Sequence, residues 1–124
     1  MMGKPIKITW SPEPEENDFS AVESYLGLMY GKKSIRSILR KLKAAKASQF
    51  KAKDIFRASG LSLLGVSNSH VEKDRKTVQS GKPLSPILLV RDKRSGSVII
   101  ADGYHRMCAV YSFNEDEVIH CRIV

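Results

Sequence analysis

The sequence predicts an α+β fold: a small mixed β-sheet with packed helices, preceded by a helical N-terminal extension. Three observations carry this. The run "VIIA" at 98–101 is apolar without alternation, the pattern of a strand covered on both faces, and "ILLV" at 87–90 reads as a proline-bounded strand. "VIHCRIV" at the end of the sequence is a third run with strand character. Elsewhere apolar residues recur at the three-to-four spacing of amphipathic helices. With 124 residues the chain reads as a single domain, an extension over 1–52 and a core over 53–124.

Taken in order, residues 6–10 suggest a short strand, and "SPEPEEN" an acidic, proline-containing loop. Ser20 and Glu23 have the spacing of a capping box. Phe19, Val22, Tyr25, Leu26 and Met29 follow at helical intervals, predicting a helix over 20–30 that Gly31 stops. Ser34 is placed to cap a second helix, in which Ile35, Ile38, Leu39 and Leu42 form one stripe and Arg36, Arg40, Lys43 and Lys46 lie away from it. The two are expected to form an antiparallel hairpin. Residues 53–59 read as a short helix ended by Gly60. "LSLLGVSNSH" is loop-like, and Asn68 or Ser69 can cap a helix carrying Val71, Arg75 and Val78 to Gly81. Then come a proline-bounded strand at 87–90, the polar turn "RDKRSGS", the strand at 98–101, a helix over 104–113 and the closing strand.

Composition narrows the class. Hydrophobic content of 42% and charged content of 27% suit a soluble globular protein, and no apolar run reaches the length of a membrane span. The first five residues lack the apolar segment of a signal peptide. Cys108 and Cys121 are too few for a disulfide framework, so a reducing cytoplasm is the expected location. Of the 21 basic residues nine fall between 32 and 53 with no acid among them, and the other twelve nearly balance the 13 acids. The net charge of +8 is therefore a patch.

The junction "VIIADGYHRMCAVY" concentrates chemistry. A strand ends at Asp102-Gly103, and a helix opens with Tyr104-His105-Arg106. A helix N-terminus carries unpaired N–H groups and partial positive charge. Gly103 permits a tight turn and close approach of a ligand, and Arg106 is suited to two hydrogen bonds with a phosphate or carboxylate. Asp102 has two readings: a helix cap, or a group that holds a metal ion or takes a proton from a substrate hydroxyl.

These residues, with "GKPLSPILLV" before them, resemble the ParB/sulfiredoxin-like superfamily, whose members share a helix, a strand close to P-I-x-V, and a strand ending in a Gly-x-His-Arg or Asp-Gly-x-x-Arg turn. The similarity spans about residues 53–124. It implies that the turn and helix start bind nucleotide phosphates, through Gly103, Tyr104, His105 and Arg106. Sulfiredoxins place a catalytic cysteine just before the His-Arg pair. Here that position is Tyr104, with Cys108 a helical turn onward, so the resemblance does not extend to reductase chemistry. In the ADP-dependent serine kinases of the superfamily an acid matches Asp102, and an upstream glutamate compares with Glu72 of "SHVEKD". ParB partition proteins bind CTP through a similar motif but add a helix-turn-helix, for which no residues follow the closing strand.

Two other constellations bear on function. His105, Cys108, His120 and Cys121 fit no standard zinc spacing, and the last two are strand neighbours pointing to opposite faces, which leaves Cys108 as a small core residue. The basic helix is either a solvated face or a contact for a phosphate backbone through Arg36, Arg40 and Lys43. The expectation is therefore a nucleotide- or phosphate-binding protein, an enzyme of phosphoryl transfer or of nucleotide or nucleic-acid hydrolysis. In it Asp102, His105 and Glu72 are the catalytic candidates, and Mg²⁺ accompanies the nucleotide at Asp102. The alternatives are a non-catalytic nucleic-acid-binding module using the basic helix, and a partner-docking protein with a degenerate turn.

Overall fold

A computed structural model describes residues 6–65 and 67–124, so residues 1–5 of the expected N-terminal tail and Val66 of the expected loop lie outside the described residues. The chain is α+β. Its elements are α1 (Glu16–Leu26), α2 (Lys32–Ala44), β1 (Ser48–Lys51), α3 (Ala52–Ser59), α4 (Ser69–Gln79), β2 (Ile87–Asp92), β3 (Ser97–Asp102), α5 (Tyr104–Phe113) and β4 (Val118–Ile123). The sheet order is β1-β4-β2-β3. β2 runs parallel to β4, while β1–β4 and β2–β3 are antiparallel, so the sheet is mixed. Among the described residues no helix is long and apolar enough to cross a membrane.

The two-sided burial expected of the strand at 98–101 has a concrete basis and extends to β2. Ile87, Leu89, Ile100, Ile119 and Cys121 pack with Ile55 and Phe56 of α3, Val71 and Val78 of α4, and Met107 to Val110 of α5. Leu88, Val90 and Ala101 point the other way, into a second cluster with Phe19, Val22 and Leu26 of α1 and Ile35 and Leu42 of α2. Alternation survives in direction but not in polarity, because both faces are covered. The helices before residue 52 thus form the layer that covers one face of the sheet, and β1, also before that boundary, completes the sheet.

Several boundaries move. α1 starts at Glu16, and its box is closed by Asp18, whose Oδ2 accepts from the Glu15 N–H at 2.8 Å; Ser20 instead donates to the Glu16 carbonyl within the helix. Glu16 and Asp18 in the first turn suit the positive end of the helix dipole, which explains why this start wins over Ser20-Glu23. α1 also ends at Leu26, short of the expected 30. Gly31, in extended conformation, caps α2 in place of Ser34, and the far end of α2 is closed by Arg122, whose Nη1 donates to the Leu42 and Lys43 carbonyls at 3.3 and 2.9 Å. The expected strand at 6–10 reduces to a bridge between Trp10 and Leu84. Strand β1, "SQFK", was not expected; it is a four-residue edge strand held by β4. The remaining elements stand within two residues of expectation.

One irregularity positions the site. Leu88 pairs with Asp102 but Leu89 pairs with Ile100, so Ala101 is an extra residue on β3. A bulge bends its strand and redirects the residues beside it. Asp102 is thereby brought into register with Leu88, on the sheet face that α1 covers.

Candidate functional site

Gly103 forms the corner between β3 and α5, with φ 101° and ψ 19°. This left-handed conformation favours glycine, and space requires it too. A Cβ there would stand 2.5 Å from Cδ1 of Ile87 and 2.9 Å from Nη2 of Arg106. The expected close approach is therefore first an approach of the chain's own guanidinium.

Arg106 turns back under the corner. Its Nη2 donates to Asp102 Oδ2 at 2.9 Å and to the Pro86 carbonyl at 3.4 Å, and its Nη1 lies 3.5 Å from Asp18 Oδ1. The side chains are 17% exposed for Arg106, 14% for Asp102 and 8% for Asp18, so this is an interior cluster and not a surface pair. Two carboxylates share one guanidinium. Burial pushes the Asp102 carboxyl up to about 6; the Arg106 charge and hydrogen bond pull it down, and neighbouring Asp18 raises it further. The short ion pair and the raised value are compatible, since one guanidinium divided between two acids does not offset the loss of water around both. Both Nη atoms of Arg106 are thus engaged by the protein, while its buried Nε has no hydrogen-bond partner among the described residues, so the expected phosphate grip would compete with Asp102 and Asp18 for the same guanidinium. The capping reading of Asp102 is corrected. Gly103 is the N-cap of α5, no side chain caps that helix, and the Asp102 carboxylate is held by Arg106.

The start of α5 stands between two cavities. A polar one of about 160 Å³ is lined by His70, Lys73, Asp74, Asp102, Gly103, Tyr104, His105 and Arg106. A mainly apolar one of about 440 Å³ is lined by Ala21, Tyr25, Leu61, Ile100 and Ala101 together with the same Asp102 to His105. His105 packs its ring against that of His70, with centroids 4.8 Å apart. Burial, then the proximity of His70, lowers its pKa, while Asp74 opposes the shift. Tyr104 donates its hydroxyl to the Ser62 carbonyl, tying the 61–65 loop to the helix start.

Glu72 does not join this group. It lies 4.0 Å from Arg75 and lines the neighbouring groove, not this cavity. The acid that faces Asp102 is Asp74, whose carboxyl is pushed up by burial against the nearby charges of Arg106 and His105. The difference is two residues on a helix, a rotation of about 200°. His70, Lys73 and Asp74 share a face by i, i+3 and i+4 spacing, and that pattern was present in the sequence. Asp18, 88 residues from Arg106, carried no comparable signal.

Among the described residues no three His, Cys, Asp or Glu side chains converge as a metal site. The Asp102 carboxylate is engaged by Arg106, so the donors here do not fit a Mg²⁺ ion held by the protein itself. Cys108 is 1% exposed and Cys121 is 1% exposed, both packed in the core, while His120 stacks on Trp10 with centroids 5.4 Å apart. Arg36, Arg40 and Lys43 lie exposed on α2, and Lys43 also sits 5.3 Å from the centre of the Phe19 ring.

No protein-family model, curated protein or solved structure matches this chain. Its chemistry must be read from the two cavities.

Proposed function

We propose that the chain binds a nucleotide at the 102–105 corner and acts on its phosphate. One observation carries this reading. Four consecutive residues, Asp102 to His105, wall both a small polar cavity bearing Lys73, His70 and His105 and a larger, mainly apolar one bearing Tyr25 and Leu61. A nucleotide has the same two-part chemistry, an anionic end and a flat, mostly apolar base. In this reading Lys73 and the N–H groups of the first α5 turn offset phosphate charge, and His105, kept neutral by burial and by His70, donates a hydrogen bond to it. Asp102, ionised above about pH 6 and fixed by Arg106, accepts the proton of an attacking hydroxyl or water. Arg106 is a positioning residue, and Mg²⁺ enters and leaves bound to the phosphates as part of the substrate.

The test is thermal unfolding of the full chain with nucleoside mono-, di- and triphosphates, with and without Mg²⁺, followed by turnover assays. Asp102→Asn keeps an oxygen for Arg106 and is expected to bind but not turn over. Failure of every nucleotide to raise the melting temperature would remove the proposal.

A second reading rests on α2. Arg36 and Arg40 are exposed, and among the described residues no acid lies within ion-pair distance of either. Replacing Arg36, Arg40 and Lys43 with Gln leaves Ile35 and Leu42 in place. If nucleic acid binds here, affinity and its salt dependence fall together while any nucleotide turnover persists.

A further inference from the structure

Beside the polar cavity lies a shallow groove of about 590 Å³, lined by Ser69, Glu72, Lys73, Lys76, Thr77, Ser80 and Lys82. Lys73 belongs to both, so the groove continues the cavity along α4. Lys73 and Lys76 are one helical step of three apart and share a face. Lys82 is added by the way the helix ends. The Gly81 N–H bonds the Val78 carbonyl at 3.0 Å and the Lys82 N–H bonds the Thr77 carbonyl at 3.2 Å, with Gly81 at φ 79°. This is a Schellman ending, and it folds Lys82 back beside Thr77. Three cations and three hydroxyls thus line a path whose single acid, Glu72, is drawn toward Arg75 at 4.0 Å. From Lys73 to the end of α4 the path measures about 9 Å, enough to span two successive phosphates of an extended strand.

Resting on the nucleotide reading above, we propose that the substrate class is a single nucleic-acid strand. Its end nucleotide sits at the Asp102–His105 corner, and its next phosphates lie along Lys73, Lys76 and Lys82. A mononucleotide would use the corner and leave this groove empty. A duplex would have to place a paired base in the Tyr25–Leu61 cavity, which opens beside the same four residues. A free strand end reaches it without unpairing.

The experiment compares two fluorescent probes on the full chain by anisotropy at several salt concentrations: a mononucleotide, and a single strand of about ten nucleotides. The strand is expected to bind about tenfold tighter or better. In the double variant Lys76→Gln, Lys82→Gln, both on exposed positions, the strand loses that advantage and its salt slope falls by about 1.4 for two lost contacts, while mononucleotide affinity stays the same. Mononucleotide binding with no gain for the strand overturns this inference and leaves the nucleotide reading standing. Absence of binding by either probe overturns both. A strand advantage that survives the double variant but disappears with Arg36, Arg40 and Lys43 replaced assigns the strand to α2 and also overturns the inference.

Discussion

Replacing Arg106 with alanine separates a structural guanidinium from a ligand-gripping one. In the folded chain the change leaves Asp102 without its 2.9 Å partner and Asp18 without its 3.5 Å partner, both in a largely buried setting. Asp18 keeps the bond from the Glu15 N–H, so Asp102 carries most of the loss. Breaking a buried pair by removing one side costs about 3 kcal/mol at the lower end, which for 124 residues lowers the melting temperature by about 12 °C. The pH dependence has a definite sign. Asp102 titrates near 6 in the folded chain against an ordinary 3.8, so its protonation favours folding fully below about 3.8 and that contribution is lost as pH rises through 6. Arg106 limits the cost of the ionised form. The gap between wild type and variant should therefore be narrow at pH 4.5 and widen toward pH 7.5, as followed by circular dichroism melts. A loss under about 1 kcal/mol at pH 7.5, or a gap independent of pH, would refute the buried-cluster reasoning and return Arg106 to the role of a free anion ligand.

Gly103→Ala should destabilise by about 2–4 kcal/mol, since it adds a clash with Ile87 and Arg106 to an unfavourable backbone conformation; an unchanged melting temperature would count against the corner geometry. Cys108→Ala should cost about 1 kcal/mol and leave ligand binding intact, and native Cys108 should resist alkylation, because burial both shields the thiol and pushes its pKa up; rapid labelling would contradict this. Glu72→Gln should leave nucleotide binding and turnover unchanged while Asp74→Asn alters both, measured by titration and steady-state rates; the reverse pattern would put the upstream acid back at Glu72.

What the sequence disclosed was local. The helix from Tyr104 to Phe113, the Asn68 cap and the Gly60 stop were readable because capping and periodicity act within a few residues. The two-faced burial of β3 was readable from its unbroken apolar run, though not that α1 and α2 supply the second layer. β1 carries little local signal because "SQFK" has one apolar residue, and its pairing with β4 is set by partners 67 to 73 positions away. At the site, "DGYHR" announced a functional-looking corner, but the bulge at Ala101 and the reach of Arg106 to Asp18 depend on packing between distant segments. That Asp74 and not the expected Glu72 lines the cavity depends on helix rotation about a contact with α5, which periodicity alone does not orient.

The most direct measurement of where a ligand binds is a nucleotide titration followed by amide chemical shifts of the isotope-labelled chain. Binding at the corner is expected to move the amides of Gly103, Tyr104 and His105 first, with those of His70, Lys73 and Asp74, and to leave residues 32–44 undisturbed. Shifts confined to residues 32–44, or none at saturating nucleotide, would contradict a nucleotide site at Asp102 to His105.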